Sequence, residues 1–286
     1  MTRPPSPLVS VAWLAAAGRA PDVHVFDVRF YLGAKNARDE YAKGHIPGAV
    51  FVDLDVELAA PRGAGPGRHP LPKADDFAET LARLGVTSDS IVVAYDDAGG
   101  SIAARFWWML RHFGHDIGHV LDGGLQAWTH AGHGLTTEET RPARAPRLTL
   151  STRDDVVDKG AVARLAQRAD ARVFDARATP RFEGKIEPID ARPGHVPGAR
   201  SAPFVDNLVA PEGPFLPVEE LTRRWAARGA LSAAEVACYC GSGVTACHDV
   251  LALQLAGRAD VRLYEGSWSD WAADPNLEAA VGPERS

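Results

Sequence analysis

The sequence predicts an α/β protein made of two tandem copies of one domain, each a parallel sheet with helices on both faces. Three observations carry this expectation. A set of short motifs occurs twice, in the same order, within 286 residues. That length is about twice the usual size of one domain. Each copy alternates short apolar runs with amphipathic stretches, as strands joined by crossover helices do.

The repeats define the copies. Phe-Asp-Val-Arg at 26–29 returns as Phe-Asp-Ala-Arg at 174–177, and Gly-His-Ile-Pro-Gly-Ala at 44–49 returns as Gly-His-Val-Pro-Gly-Ala at 194–199. Leu71-Pro72 is echoed by Leu216-Pro217, and Ile-Val-Val-Ala-Tyr-Asp at 91–96 by Val-Ala-Cys-Tyr-Cys at 236–240. Asp-Gly-Gly-Leu-Gln-Ala-Trp at 122–128 is matched by Glu-Gly-Ser-Trp-Ser-Asp-Trp at 265–271. Order and spacing both survive, so one domain has been duplicated. The expected boundaries are a first domain at 8–134, a polar, Pro-interrupted linker at 135–152, and a second domain at 153–286.

The elements of the second copy follow in order. Arg172–Ala176 reads as a strand, Leu221 and Trp225 stand at helical i, i+4 spacing, and Val236–Tyr239 reads as a short buried strand. Val244, Cys247, His248, Leu251 and Leu255 form a helical stripe, and Val261–Tyr264 a further strand. In the first copy Trp107, Trp108 and Met109 are read as core. Near the N-terminus the run 8–17 is read as a short helix carrying Trp13 and Leu14 with Ser10 as its N-cap, in preference to a signal peptide.

Composition narrows the function. Thirty-one basic against 37 acidic residues leave a net charge of −6, which disfavours nucleic-acid and anionic-membrane partners. Hydrophobic residues at 45% and charged residues at 24% are ordinary for a globular chain and too balanced for disorder. No run approaches the ~18 apolar residues of a membrane span. The three cysteines, Cys238, Cys240 and Cys247, lie within one short stretch and are too few for a disulfide scaffold. They fit a reducing compartment, and a cytoplasmic location is expected.

Ligands of parallel sheets gather outside the carboxyl ends of the strands. Cys240 stands at such an end, followed by Gly241-Ser242-Gly243-Val244-Thr245-Ala246 and a helix. The glycines permit a tight backbone on which successive N–H groups converge, and the helix adds its own unpaired N–H groups and positive end. An anion there gains hydrogen bonds that the neutral thiol lacks, so the loop favours a nucleophilic thiolate or a persulfide. Cys238, inside the strand, and Cys247, on the helix stripe, are read as core. Asp96 takes the place of Cys240 in the first copy, which is therefore expected to be catalytically silent. His112, His115, His130 and His133 lack the spacing of a metal site, and no dinucleotide fingerprint opens a helix, so neither metal nor cofactor is expected.

Taken together, the paired Gly-His-x-Pro-Gly-Ala boxes, Cys-Gly-Ser-Gly-Val-Thr-Ala and the two tryptophan-bearing boxes resemble the two-domain rhodanese superfamily of sulfurtransferases, over residues 8 to 272. The Cys-Gly-Ser-Gly-Val-Thr loop is most similar to the 3-mercaptopyruvate branch. The resemblance implies two tandem rhodanese-like domains and a catalytic set of Cys240, Ser242, His69 and Asp55. It implies substrate binding by the loop residues Gly241, Gly243, Val244 and Thr245. It further implies that Arg181 meets the donor carboxylate, for which a guanidinium fork is suited. Where that branch carries a second arginine, this chain has Ile189, with Arg192 close by, and a weaker hold on the donor is expected.

The expected activity is transfer of sulfane sulfur from 3-mercaptopyruvate, or from thiosulfate, through a Cys240 persulfide. The acceptor is a thiol, cyanide or a thioredoxin-like protein. Two other readings fit the residues less well. A cysteine phosphatase needs an arginine six positions after its cysteine, and position 246 is alanine. A non-catalytic sulfur carrier or redox module has no use for Asp55, His69 and Ser242.

Overall fold

The computed structural model describes residues 4–284, so the last two residues of the expected second domain lie outside it. The chain divides into two compact units. One holds the residues up to Ala60 together with Pro72–Arg153 and Val209–Phe215; the other holds Pro61–Leu71, Asp154–Leu208 and the residues from Leu216 onward. Residues 135–152, expected as a linker, thus count with the first unit. Pro61–Leu71, part of the first copy by sequence, counts with the second.

The first unit runs β1 (Leu8–Val9), α1 (Val11–Ala17), β2 (Val23–Asp27), α2 (Ala37–Lys43), β3 (Val50–Phe51), α3 (Leu54–Glu57), α4 (Ala74–Arg83), β4 (Ile91–Tyr95), α5 (Ala103–His112), β5 (Gly118–Leu121) and α6 (Gly124–His130). Its strands pair in parallel in the order β1-β5-β4-β2-β3. The second unit runs α7 (Lys159–Ala166), β6 (Ala171–Asp175), α8 (Thr179–Phe182), β7 (Arg200–Ser201), a 3-10 turn at Phe204–Asn207, α9 (Val218–Ala227), β8 (Glu235–Tyr239), α10 (Ala246–Leu255), β9 (Val261–Leu263) and α11 (Ser267–Ala273). Its strands are likewise parallel, in the order β7-β6-β8-β9. Where the first unit has β1, a single parallel bridge joins Val156 to Leu263.

Side-chain alternation puts a core on each side of both sheets. In the first unit Val23, Val25, Val93 and Tyr95 pack with Leu14, Ala17 and Trp128. Phe26 points the other way, edge-on to Phe106 at 5.4 Å. In the second unit Val173, Ala237 and Tyr239 pack with Val162, Leu165, Trp268 and Trp271, while Phe174 meets Trp225 on the opposite face at 5.2 Å. Trp107, Trp108 and Met109 are buried, as expected. Ser10 caps α1 by accepting from the Trp13 N–H at 3.2 Å. The expected single stripe on α10 is corrected: Ala246 to Leu253 are all buried, Asp249 included, because this helix lies inside the unit.

The duplicated motifs have one structural reason. Asp27, at the end of β2, accepts from the Arg29 Nε at 3.0 Å, from its Nη2 at 2.7 Å and from the Tyr95 hydroxyl at 2.8 Å. Arg29 Nη2 also donates to the Gly44 carbonyl at 2.9 Å, and the Tyr95 hydroxyl accepts from the Ile46 N–H at 3.1 Å. The Phe-Asp-x-Arg box is thereby tied to the Gly-His-x-Pro-Gly-Ala box. The second unit repeats this with Asp175, Arg177, Gly194, Tyr239 and Val196. The box histidines stack on aromatic rings with centroids 3.7 Å apart in both units, His45 on Tyr41 and His195 on Phe182.

Both charges of the Asp27–Arg29 pair are buried, so removing one strands the other. Asp27→Ala is expected to cost about 3–5 kcal/mol. The double variant Asp27→Leu, Arg29→Met should recover most of that loss. Denaturant midpoints of the two variants test the point; equal losses would show that the ion pair is not what the motif conserves in this fold.

Candidate active site

Cys240 follows β8 directly, and its loop is fixed by the start of α11. The Cys240 N–H donates to Ser267 Oγ at 3.0 Å. The Cys240 and Gly241 carbonyls accept from the Trp268 and Ser269 N–H groups, each at 2.9 Å. Ser267 holds a left-handed backbone, φ 54°, which is uncommon for a side-chain-bearing residue and marks a constrained turn. Gly243, at φ 76°, sits against the Glu265 carbonyl, where a Cβ would collide. Only glycine meets both demands.

The first unit displays what such a loop does for an anion. Asp96 ends β4 as Cys240 ends β8, and its carboxylate is fully buried. Oδ1 accepts from the Ala98 and Gly100 N–H groups at 2.9 and 2.8 Å, and Oδ2 from those of Ile102 and Ala103 at 2.8 and 2.9 Å. Burial pushes the Asp96 carboxyl up, and these four N–H groups work against that rise.

Three of the four expected catalytic residues lie in the second unit, and a close contact joins two of them. His69 Nδ1 is 2.7 Å from Ser242 Oγ, with both side chains buried. The segment carrying His69 is tied down on either side of it. The Arg68 N–H donates to Ser269 Oγ at 3.1 Å, and the Leu71 N–H to Glu265 Oε2 at 3.0 Å. Asp55 is in the first unit, on α3, with an exposed side chain and its N–H donating to Asp53 Oδ1 at 2.9 Å. Val244 is buried, and Thr245 precedes α10 without a side-chain cap. Cys238 and Cys247 are core residues: burial pushes the Cys238 thiol up, and Cys247 Sγ donates to the Gly243 carbonyl at 3.4 Å.

Arg181 is engaged by acidic partners that sequence reading passed over. It donates to Glu187 Oε1 at 2.6 Å and to Asp190 Oδ2 at 3.0 Å. Glu187 also accepts from Arg177 Nη1 at 3.1 Å and from the Ile189 and Asp190 N–H groups at 3.1 Å. Burial acts upward on the Glu187 carboxyl, but Arg181 and these N–H groups outweigh it and hold the group below the ordinary carboxylate range. For Asp190 burial prevails over Arg68 and pushes the carboxyl up. Ile189 is exposed at the surface. Arg192 does not replace the missing arginine. It donates to the Trp271, Ala272, Asp274 and Leu277 carbonyls and so closes the C-terminal end of α11.

The residue missed altogether is Arg68, which pairs with Asp190. A Cβ built on Gly241 would stand 3.0 Å from Arg68 Nη2 and 3.6 Å from Arg181 Nη1. Its one sequence signal was its place beside His69.

A family model for the Rhodanese-like domain matches residues 10–131 and 158–274. The chain is 45% identical over 286 residues to a Pseudomonas aeruginosa protein named Probable 3-mercaptopyruvate sulfurtransferase, covering 96% of this chain and 98% of that one. It is 36% identical over 280 residues to the Thiosulfate sulfurtransferase of Bos taurus, covering 92% and 91%. Among solved structures it is similar to the rhodanese-fold 3-mercaptopyruvate sulfotransferase SseA of Escherichia coli. That match has a TM-score of 0.81 and 32% identity, and covers 92% of this chain and 99% of that one.

The Asp96 loop offers a direct test of the anion cradle. Asp96→Ala leaves four N–H groups, three of them in buried contacts, without their acceptor and is expected to cost about 3 kcal/mol or more. Thermal or denaturant unfolding measures this. A loss below about 0.5 kcal/mol, the range of an ordinary surface change, would show that the loop is not organised around the carboxylate.

Proposed function

The chain belongs to the rhodanese-like domain family, and from that premise we propose a double displacement centred on Cys240. The enzyme is a sulfurtransferase that moves sulfane sulfur from 3-mercaptopyruvate, or thiosulfate, to a thiol or cyanide acceptor. The Cys240 thiolate attacks the donor sulfur, and the carbon–sulfur bond of 3-mercaptopyruvate breaks with its electron pair passing to carbon. The carbanion equivalent takes up the proton carried by the donor thiol, which gives pyruvate and the Cys240 persulfide anion. A thiol then removes the outer sulfur as its own persulfide, or cyanide removes it as thiocyanate, and Cys240 is restored. The chemistry needs no metal or organic cofactor.

The 2.7 Å contact of His69 with Ser242, two residues beyond Cys240, carries this reading. A histidine bonded to a hydroxyl beside a nucleophile is a proton-transfer pair, suited to moving the donor's proton from sulfur to carbon. Asp55 is proposed as the third member of that relay. Gly241, Gly243, Val244 and Thr245 form the loop that receives the transferred sulfur, and the Asp96 loop supports such a cradle by analogy within one chain. We retain the assignment of 8–134 as a silent domain, 135–152 as linker and 153–286 as the catalytic domain. A thioredoxin-like protein suits the acceptor role. The three free thiols are in keeping with the cytoplasm, and among the described residues no helix is long and apolar enough to cross a membrane.

Mercaptopyruvate is the preferred donor in this reading. Gly241 and Ser242 put no charge of their own beside the sulfur, which suits a thiol donor better than the compact thiosulfate dianion. The ratio of kcat/KM for the two donors, at one pH and one acceptor concentration, is expected to favour mercaptopyruvate; a higher value for thiosulfate would reverse the donor.

Incubation with mercaptopyruvate and no acceptor should add one sulfur, about 32 Da, to the intact chain. Cys240→Ser should abolish the gain, whereas Cys238→Ser and Cys247→Ser should keep it. A Cys240→Ser chain that still gains the mass would end the proposal. His69→Ala should lower kcat by roughly 10²–10⁴, the usual contribution of a general acid–base.

A further inference from the structure

We propose that Ser269 is a positioning residue: its backbone N–H and its hydroxyl join the cysteine loop to the segment that carries His69, and so set the approach of His69 to Ser242. This rests on the sulfurtransferase reading above and specifies what holds the proton-transfer pair of that site together. The two members of the pair are 173 residues apart in sequence. Their contact therefore depends on non-covalent ties near by, and a proton-transfer pair tolerates little misplacement.

Three observations carry the inference. First, Ser269 binds on both sides. Its N–H donates to the carbonyl of Gly241, the residue between Cys240 and Ser242, at 2.9 Å. Its Oγ accepts from the N–H of Arg68, the residue before His69, at 3.1 Å. The hydroxyl hydrogen goes to the Gly266 carbonyl at 3.1 Å, which leaves a lone pair for Arg68. One residue thus spans from the loop of the nucleophile to the neighbour of the histidine. Second, the segment meets the start of α11 at close range. Gly67 has φ 74°, and a Cβ on it would collide with the Gly266 carbonyl and stand 2.9 Å from Ser269 Oγ. Beyond His69, the Leu71 N–H donates to Glu265 Oε2 at 3.0 Å, so the histidine is tied from both directions.

Third, the unit that carries Asp96 has the acidic tie without the hydroxyl tie. Val209–Phe215, of the second copy by sequence, counts with that unit. The Phe215 N–H donates to Asp122 Oδ1 at 2.8 Å, much as the Leu71 N–H does to Glu265. Asp122 and Glu265 open the matched tryptophan-bearing boxes, and Leu71 and Leu216 open the matched Leu-Pro pairs. The residue matched to Ser269 is Gln126, and its side chain turns to its own strand-end loop, donating to the Asp97 carbonyl at 2.6 Å. A segment of this kind therefore docks without a hydroxyl contact. The Ser269 contact accompanies the thiol and the histidine, which leaves their alignment as its purpose.

The test measures how fast each variant gains the sulfur mass from saturating mercaptopyruvate without acceptor. Ser269→Ala should slow this gain roughly ten- to a hundredfold, the size expected for a misplaced reacting group, with the half-saturating donor concentration within a few-fold. Ser269→Thr, which keeps the hydroxyl, should recover most of the rate. Added to His69→Ala, Ser269→Ala should cost less than about twofold more, because a residue that acts through His69 then has nothing left to position. Glu265→Ala, which frees the Leu71 N–H, should follow the same pattern and gives the answer if Ser269→Ala fails to fold. An unchanged rate in the folded variants, or the same fold loss with and without His69, overturns the role of Ser269. A His69→Ala chain that gains sulfur as fast as wild type would instead overturn the underlying reading, so the two failures are distinguishable.

Discussion

A buried ion pair at the end of a sheet strand governs the architecture. Taking two charges out of water is costly unless every hydrogen-bonding position is used, and here nearly all are. Asp175 accepts from the Arg177 N–H and from two guanidinium nitrogens, while Arg177 continues to the Gly194 carbonyl. The pair thereby sets the path of the chain from the strand end to the Gly-His-Val-Pro-Gly-Ala turn. Asp27 and Arg29 do the same in the other unit. This is why these boxes are the parts of the sequence that still match after duplication: a change in one member leaves the others unsatisfied.

The second unit extends this constraint into its chemistry. Arg177 reaches Glu187, Glu187 reaches Arg181, Arg181 reaches Asp190, and Asp190 reaches Arg68. With Asp175, which holds Arg177 at the strand end, six charges alternate in sign from the sheet to the cysteine loop. Each is positioned by the one before, and the first is positioned by the fold. The two strand-end loops show the corresponding divergence. One encloses its own carboxylate in four N–H groups, and the other presents a thiol at the same place.

Much of the fold was legible because it rests on periodicity and repetition. The strands at β6, β8 and β9, the cap at Ser10 and the core positions of Leu221 and Trp225 follow from local pattern alone. Cys240 was legible because strand, glycines and helix start are contiguous. Asp55 and His69 were placed only through the family resemblance, since nothing local separates them from solvated loop residues. Arg68 and Asp190 were not read because 122 residues separate them, and pattern does not say which distant charges meet. Arg192 could not be assigned from sequence because proximity along the chain says nothing of direction; its guanidinium faces the end of α11. The α10 stripe was read too narrowly, since Asp249 at a buried position breaks the polar–apolar code.

The short segment Pro61–Leu71 carries Arg68 and His69 side by side, one facing the residue after the cysteine and the other facing Ser242. Two side chains that approach the same cysteine loop are therefore linked by one peptide bond. An insertion, deletion or shift in this segment would displace both together. The two contacts are then not free to evolve separately, and the charge beside Gly241 would be retuned more readily through Asp190 and Glu187, whose backbone lies elsewhere in the chain.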